Sequence, residues 1–286
     1  MDQATVIYLT NIVIITILGC MISQYWLRQG RAPAMFFWML SAWILVVADV
    51  FFALRSRPEL PYWVGRIIPT GLVTVGHACL LMGARKTANI DNGRWWLIPA
   101  VVGGHVLTLV YFLFNNEHTE WRMVVNGVVW AGFSFASCWS LRQGAKPFSA
   151  SLFSPCKAFM LHGGFHCFRF VFASVCAVQH WDNAAEWLQT ISDFEVSFFM
   201  VALFVGLLTA NLHLRNEELS NALAEVQTLT GLLPICAWCR KVRNDDGYWQ
   251  KVEDYLAARS GIKFTHGICT DCFNQHRPQK RECKSS

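Results

Sequence analysis

Two cysteine pairs near the end of the chain have the spacing of a metal site. Cys236 and Cys239 form one C-x-x-C pair, and Cys269 and Cys272 form the other. Four thiolates spaced in this way can close a tetrahedral zinc site with bonds of about 2.3 Å. A segment of about fifty residues buries little apolar surface, so a structural metal is an expected support for its fold. We therefore predict one structural zinc ion per chain.

A histidine beside the second pair can also take part. His266 lies three residues before Cys269 and can either replace a metal ligand or hydrogen-bond a thiolate. Because four cysteines are available as ligands, the hydrogen bond to a thiolate is its expected role. Iron is an alternative metal, because the separation of the pairs is similar to that in rubredoxins. The glycines that follow each rubredoxin pair are absent, however, since Arg240 and Phe273 stand there. The same two residues exclude C-x-x-C-H haem attachment.

Most of the remaining chain is apolar. Of its 286 residues, 54% are hydrophobic and only 15% are charged, which is atypical of a soluble protein. Seven apolar stretches are close to the ~20 residues that a helix needs to cross a bilayer. They are residues 6–27, 35–54, 62–83, 95–114, 124–141, 158–178 and 187–208. We predict an all-α polytopic membrane protein with a seven-helix transmembrane domain over residues 1–210.

The charged links between these stretches predict an orientation. Basic links that contain Arg28, Arg85 and Arg142 alternate with links that contain Glu59 and Glu117. Because basic residues favour the cytoplasmic side, the N-terminus is predicted outside and the C-terminus in the cytoplasm. The net charge of +5 is consistent with this arrangement.

Residues 211–230 are predicted to continue the seventh span as a linker helix. This segment has no glycine or proline, and its apolar residues have heptad-like spacing. They are Leu212, Leu219, Ala222, Val226 and Leu229. The linker is either a solvated amphipathic helix against the tail or a short parallel coiled coil that joins two protomers. Gly231 and Pro234 end it, and the module at residues 231–286 follows.

Within the module, a turn and a helix are predicted between the cysteine pairs. The sequence "NDDG" is a turn signal. The following "YWQKVEDYLAARS" places Trp249, Val252, Tyr255 and Leu256 at helical spacing, as one apolar helix face.

Ionisable residues inside the predicted spans are candidate functional groups, because burying them in a bilayer is costly. They are Asp49, His77, His105, His162, His166, Arg169, Asp193 and Glu195.

Two groupings follow from the order of the spans. His162, His166 and Arg169 share one face of the sixth span, and Arg169 is expected to pair with Asp49 or Glu195, as a ligand pocket or as a structural ion pair.

Deeper in the bundle, His77, His105 and His162 are expected to meet. Two such histidines can bind b-type haem, and three can bind copper or zinc. Hydrogen bonding to neighbouring helices is the alternative role.

The tail resembles a known family of modules. The stretch "LLPICAWCRKVRNDDGYWQKVEDYLAARSGIKFTHGICTDC" is similar to a C-terminal four-cysteine module of bacterial signalling proteins, which follows sensory units and a short coiled coil and has a consensus like "LLPICSxCKKIRDDxGYWxxIExYIxxHSxxxFSHGICPxC". Thr270 replaces the usual proline, and "ARSG" replaces a segment with a histidine. The apolar region resembles, through its hydropathy and position, the membrane sensor regions that precede diguanylate cyclases and histidine kinases.

These resemblances imply a bacterial inner-membrane receptor. It would sense a small ligand or the membrane state and signal through the zinc module to a cytoplasmic partner protein. No "GGDEF" block or kinase glycine motif follows the seventh span, so the module stands where an enzymatic output would be.

Two other functions are open. One is a haem- or iron-binding membrane redox protein. The other is a membrane-tethered nucleic-acid-binding zinc protein, for which Arg240, Lys241 and Arg243 lie near Trp238 and Trp249.

Overall fold

The computed structural model describes residues 3–28, 31–55, 57, 59–90, 95–115, 119–144, 148–149, 153–179, 181–230, 234–244, 246–260 and 263–276. These residues form α1 (Gln3–Arg28), α2 (Pro33–Ala53), α3 (Tyr62–Thr87), α4 (Leu97–Asn115), α5 (Thr119–Arg142), α6 (Pro155–Gln179), α7 (Asp182–Thr230), β1 (Val242–Arg243), β2 (Trp249–Gln250), α8 (Val252–Ser260) and α9 (Thr270–His276). Contacts divide the chain into two compact units, residues 1–217 and 218–286. Residues 231–233, 245, 261–262 and 277–286 of the predicted module lie outside the described residues.

Six helices are long and apolar enough to cross a membrane: α1, α2, α3, α5, α6 and α7. Large apolar side chains such as Leu161 and Phe198 are exposed on the bundle surface, as lipid-facing residues are. The predicted all-α membrane architecture is confirmed. The apolar part of α4, Leu97–Phe112, is shorter than the other six, so a seventh crossing stays a prediction.

Several hydroxyl groups within the apolar helices are satisfied by their own helix. Five of them donate a hydrogen bond to the carbonyl four residues earlier, at 2.6–3.0 Å: the side chains of Thr70, Thr74, Ser134, Ser137 and Ser192. Because no water is present in the bilayer core, such local bonds let polar residues sit in a span.

The bundle core lies between α1, α2, α3, α5, α6 and α7. Trp38, Leu80, Phe159, Met200 and Phe204 are all less than 2% exposed and belong to one apolar cluster. A disulfide bond links two further buried residues, one in α5 and one in α6. They are Cys138 and Cys156.

One glycine is required where α3 approaches α2. A Cβ atom at Gly83 would lie 2.8 Å from the Trp38 ring, whereas a Cβ at Gly104 of α4 would contact nothing within 4 Å. Trp38 is 1% exposed and cannot move aside freely.

We therefore expect Gly83→Ala to lower the free energy of unfolding by about 1–3 kcal/mol through overpacking. Gly104→Ala is the matched control and is expected to be neutral or stabilising by up to about 1 kcal/mol, because alanine favours the helix. Equilibrium unfolding in lipid–detergent micelles measures both. Equal effects of the two substitutions would contradict the close α2–α3 contact.

The predicted linker helix is confirmed as a continuation of α7, which runs without a break for 49 residues. In the linker, Leu212 is 53% and Leu219 is 60% exposed, and the side chains of Val226 and Leu229 lie outside the described residues. The coiled coil and the homodimer through this helix stay predictions.

The tail unit contains a small hairpin that the sequence did not predict. Val242 pairs with Gln250 and Arg243 with Trp249, and the chain turns near Gly247, whose φ is +88°. The predicted turn is confirmed. The predicted helix face is wrong at Trp249, because that residue pairs in β2 and α8 begins only at Val252.

Candidate functional site

Three buried histidines meet in the middle of the bundle. The ring nitrogens of His77 on α3 and of His162 and His166 on α6 lie within 4.8 Å of one another, one from each residue. The three side chains are 4%, 1% and 1% exposed. Among the described residues this is the one group of three or more potential ligands gathered so closely. We call it the histidine cluster.

Hydrogen bonds fix two of these rings. His77 Nδ1 lies 2.8 Å from the Val73 carbonyl oxygen, which can only accept, so Nδ1 carries the proton. A neutral His77 then accepts at Nε2 from His162 Nε2, 3.0 Å away. His162 Nδ1 lies 2.9 and 3.0 Å from the two carboxylate oxygens of Glu195 and shares one proton with them. The outward nitrogen of each ring is thus bound to an oxygen.

His166 differs from the other two. Neither of its ring nitrogens has a hydrogen-bond partner in the part of the chain that the structure describes, although the side chain is buried. Its ring packs edge-on against His162 and Trp130, with centroids 4.4 and 5.3 Å away. Leaving a buried polar group without a hydrogen bond costs about 1–3 kcal/mol, so the two unsatisfied nitrogens of His166 require a structural or functional reason.

The membership of the cluster corrects the predicted trio, since His166 takes the place of His105. His105 is bound elsewhere, with Nδ1 2.9 Å from Thr74 Oγ1 and Nε2 3.0 Å from Asn126 Oδ1. Its hydrogen bonds join α3, α4 and α5, the alternative role considered above.

The spacing of His77 and His162 does not fit bis-histidine ligation of a haem by this pair. Two imidazoles on opposite sides of an iron would place their nitrogens roughly 4 Å apart, twice a typical metal–imidazole bond. The two Nε2 atoms of His77 and His162 are only 3.0 Å apart.

A second polar group lies near one end of the bundle, around Asp193 on α7. Tyr8 on α1 donates to one carboxylate oxygen at 2.7 Å, and Gln189 donates to the other at 2.7 Å. Asn11 donates to the backbone carbonyl of Asp193 at 3.1 Å, and Arg55 donates to the Tyr8 hydroxyl at 3.0 Å. These contacts tie α1, and Arg55 in the turn after α2, to α7.

Arg169 enters this group through an amide. It is 2% exposed, its Nη2 donates to Gln189 Oε1 at 3.0 Å, and its guanidinium lies 5.4 Å from the centroid of the Trp130 ring. The predicted direct pairing with Asp49 or Glu195 is therefore wrong, because the side-chain hydrogen bond of Arg169 goes to Gln189 and Glu195 is bound by His162. The predicted shared face of His162, His166 and Arg169 is confirmed, as all three are buried.

Asp49 is also buried, and its Oδ2 has no hydrogen-bond partner among the described residues.

A cavity of about 340 Å³ opens beside this group. It lies where α2, α4 and α6 approach their C-terminal ends and α3, α5 and α7 begin. Four arginines line it against one carboxylate, that of Glu186 on α7. The arginines are Arg55, Arg66, Arg122 and Arg169. Gln189 and Thr190 of α7 also line it, as does Trp130, whose ring also contacts His77 and His166 of the histidine cluster.

The cysteine pairs of the tail unit form two local turns. The backbone N–H of Cys239 points at Cys236 Sγ, 3.5 Å away, and Phe273 N–H donates to the Cys269 carbonyl at 2.9 Å. Hydrogen bonds from the backbone N–H of Cys239 and of Cys272 lower the pKa of the Cys236 and Cys269 thiols, which favours thiolates.

The structure does not gather the four sulfur atoms into one group, so the zinc site and the role of His266 stay predictions. The residue after the first pair takes the left-handed conformation in which rubredoxin-type turns have glycine. It is Arg240, with φ of +60°.

The cavity was missed by the sequence interpretation. Its arginines come from three helices and from the turn after α2, and none was identified as a binding group except Arg169. The one available signal was that Arg55, Arg66 and Arg122 all lie on the side predicted to be outside, against the usual bias for basic residues.

No protein-family model, curated protein or solved structure matches this chain.

Proposed function

We propose that this protein is a membrane signalling receptor in which a small anionic ligand binds the arginine-lined cavity and acts on α7. One observation carries the proposal. Glu186, Gln189 and Thr190 of α7 form part of the cavity wall, and the same helix continues unbroken to Thr230, beyond the apolar bundle. A helix that touches both a ligand and an output segment is a direct route for a signal.

The charges of the cavity define the ligand class. Four arginines and one glutamate are among the residues that line the cavity, and this balance of charge favours an anion. Arginine binds carboxylate and phosphate groups through paired hydrogen bonds, and the volume is within the range of small-molecule sites. A small carboxylate or phosphate compound fits this description.

The hydrogen bonds around Arg169 supply the mechanism. Arg169 holds Gln189, Gln189 holds Asp193, and Asp193 binds Tyr8. A ligand anion competes with the Gln189 carbonyl for the guanidinium, and this exchange alters the attachment of α7 to α1 and α6. Binding thereby shifts the balance between two positions of α7.

The remaining features of the proposal rest on the sequence. The link charges favour an orientation with the cavity outside and the tail in the cytoplasm, and the resemblances of the sequence imply the bacterial inner membrane. The tail is a zinc-bound four-cysteine module that engages a cytoplasmic signalling protein, as its resemblance implies. The heptad-like linker supports a homodimer.

Hydrogen exchange tests the coupling in the full chain, reconstituted in lipid nanodiscs. Arg169→Gln removes the guanidinium that holds Gln189. We expect faster exchange of α7 amides near Gln189 and also in the linker at residues 211–225. In the wild type, millimolar succinate or phosphate is expected to slow exchange at the cavity relative to chloride of equal ionic strength, and Arg169→Gln is expected to abolish this protection.

Arg28→Gln is the matched control, because Arg28 is exposed at the end of α1, away from the cavity. It is expected to leave exchange in α7 unchanged. A change in Arg169→Gln that stops before residue 211 would contradict signalling along α7. If succinate or phosphate slowed exchange in Arg169→Gln as much as in the wild type, the result would contradict the proposed binding site.

A further inference from the structure

We propose that the histidine cluster binds one late first-row transition-metal ion, such as zinc or copper, inside the bundle. This site goes beyond the proposed receptor function, because none of its three histidines is among the residues that line the ligand cavity. It is also separate from the cysteine pairs of the tail. Its three ligands are His77, His162 and His166, all within 4.8 Å of one another at their ring nitrogens.

The distance between the first two ligands suits such an ion. Two nitrogens bound to one metal at about 2.0–2.1 Å in a tetrahedral site lie roughly 3.3 Å apart. The Nε2 atoms of His77 and His162 are 3.0 Å apart, so this pair is within a few tenths of an ångström of the required separation. Both lone pairs then point at the metal instead of sharing a proton.

The outer nitrogens of these rings have the partners that metal-binding histidines use. A ligating histidine almost always donates its other N–H to a carbonyl or a carboxylate, which fixes the ring and raises its basicity. His77 Nδ1 meets the Val73 carbonyl at 2.8 Å, and His162 Nδ1 meets Glu195 at 2.9 Å. Glu195 also supplies a negative charge that offsets part of the charge of the cation.

The orphan histidine supplies the third ligand. His166 is 1% exposed, and neither of its ring nitrogens has a hydrogen-bond partner in the described part of the chain. A metal bond to one of these nitrogens accounts for a buried imidazole beside two others.

The ligand set selects the class of metal. Three neutral imidazoles suit zinc, copper, nickel or iron, whereas calcium and magnesium require oxygen ligands. Aromatic rings enclose the site, since Phe199 stacks on His162 at a centroid distance of 3.7 Å and Trp130 stacks on His77 at 5.5 Å. Such surroundings limit the number of water ligands.

Metal titration of the full chain in detergent tests the site. Cys236→Ser/Cys269→Ser serves as the parent, so that the tail pairs do not contribute. After chelation and desalting, Co²⁺ is added and followed by its visible d–d absorption, and retained Zn²⁺ is measured by mass spectrometry. We expect about one ion per chain in the parent and less than about a tenth of that retention in His166→Gln.

Two further variants keep the test decisive if His166→Gln folds poorly. His105→Gln changes an equally buried histidine that Thr74 and Asn126 hold, and it is expected to retain the metal. Glu195→Gln preserves an acceptor for His162 and is expected to weaken binding about 10- to 100-fold. Absence of metal in the parent, or equal loss in His105→Gln and His166→Gln, would overturn the proposal.

Discussion

The double substitution Cys236→Ser/Cys269→Ser is expected to remove about one zinc ion per chain and to unfold the tail unit. Among the described residues of that unit, only Val242 and Tyr255 are buried apolar side chains. Structural zinc sites supply an apparent free energy of about 10–16 kcal/mol, far more than two such side chains provide. Elemental analysis and hydrogen exchange over residues 234–276 measure the two effects.

Cys20→Ser/Cys167→Ser is the matched control, because these cysteines are free and lie in α1 and α6. It is expected to leave the zinc content and tail protection unchanged. Unchanged zinc in the Cys236→Ser/Cys269→Ser protein would refute a four-cysteine site. Iron in place of zinc would instead favour the redox function.

The second large effect is expected at Asp193. Asp193→Ala removes the acceptor of the Tyr8 hydroxyl and of the Gln189 amide, and it takes a carboxylate from the neighbourhood of Arg55 and Arg169. Because breaking a buried network on one side leaves polar and charged groups unpaired, we expect the free energy of unfolding to fall by about 3–5 kcal/mol. Equilibrium unfolding in lipid–detergent micelles measures the change.

Asp193→Asn separates the charge from the hydrogen bonds. It keeps one acceptor oxygen, so the expected loss is only about 1–2 kcal/mol. Glu217→Ala tests a matched exposed carboxylate, which is 58% accessible and lies 3.3 Å from His213 Nε2. It is expected to change stability by less than about 0.5 kcal/mol. If Asp193→Ala changed stability as little as Glu217→Ala, the network around Asp193 would not be a stabilising contact.

Hydropathy predicted the helices well because their length and composition are set by the bilayer. The 211–230 linker was also predictable, since no residue in it breaks a helix and α7 does run through it. The hairpin was not, because Trp249 and Val252 fit a helical period and only the pairing of β1 with β2 reveals a strand.

Polar contacts between helices were predicted only in part. The periodicity of α6 placed His162, His166 and Arg169 on one face correctly. It carries no information about which residues of other helices face them, so His105 was grouped with the wrong partners and Gln189 was overlooked. Interhelical partners depend on rotation and depth, which a single sequence does not encode locally.

The link between α1 and α7 has a consequence for how the chain is made. Tyr8 and Asn11 bind Asp193, which lies 185 and 182 residues further along. At a synthesis rate of about 5–20 residues per second, Asp193 leaves the ribosome roughly 10–40 s after Tyr8. The first helix must therefore wait in the membrane with these polar groups unmatched or held by the insertion machinery. Docking of α7 supplies the missing partners, so any ribosomal pause before α7 is expected to lengthen the period in which these groups stay unmatched.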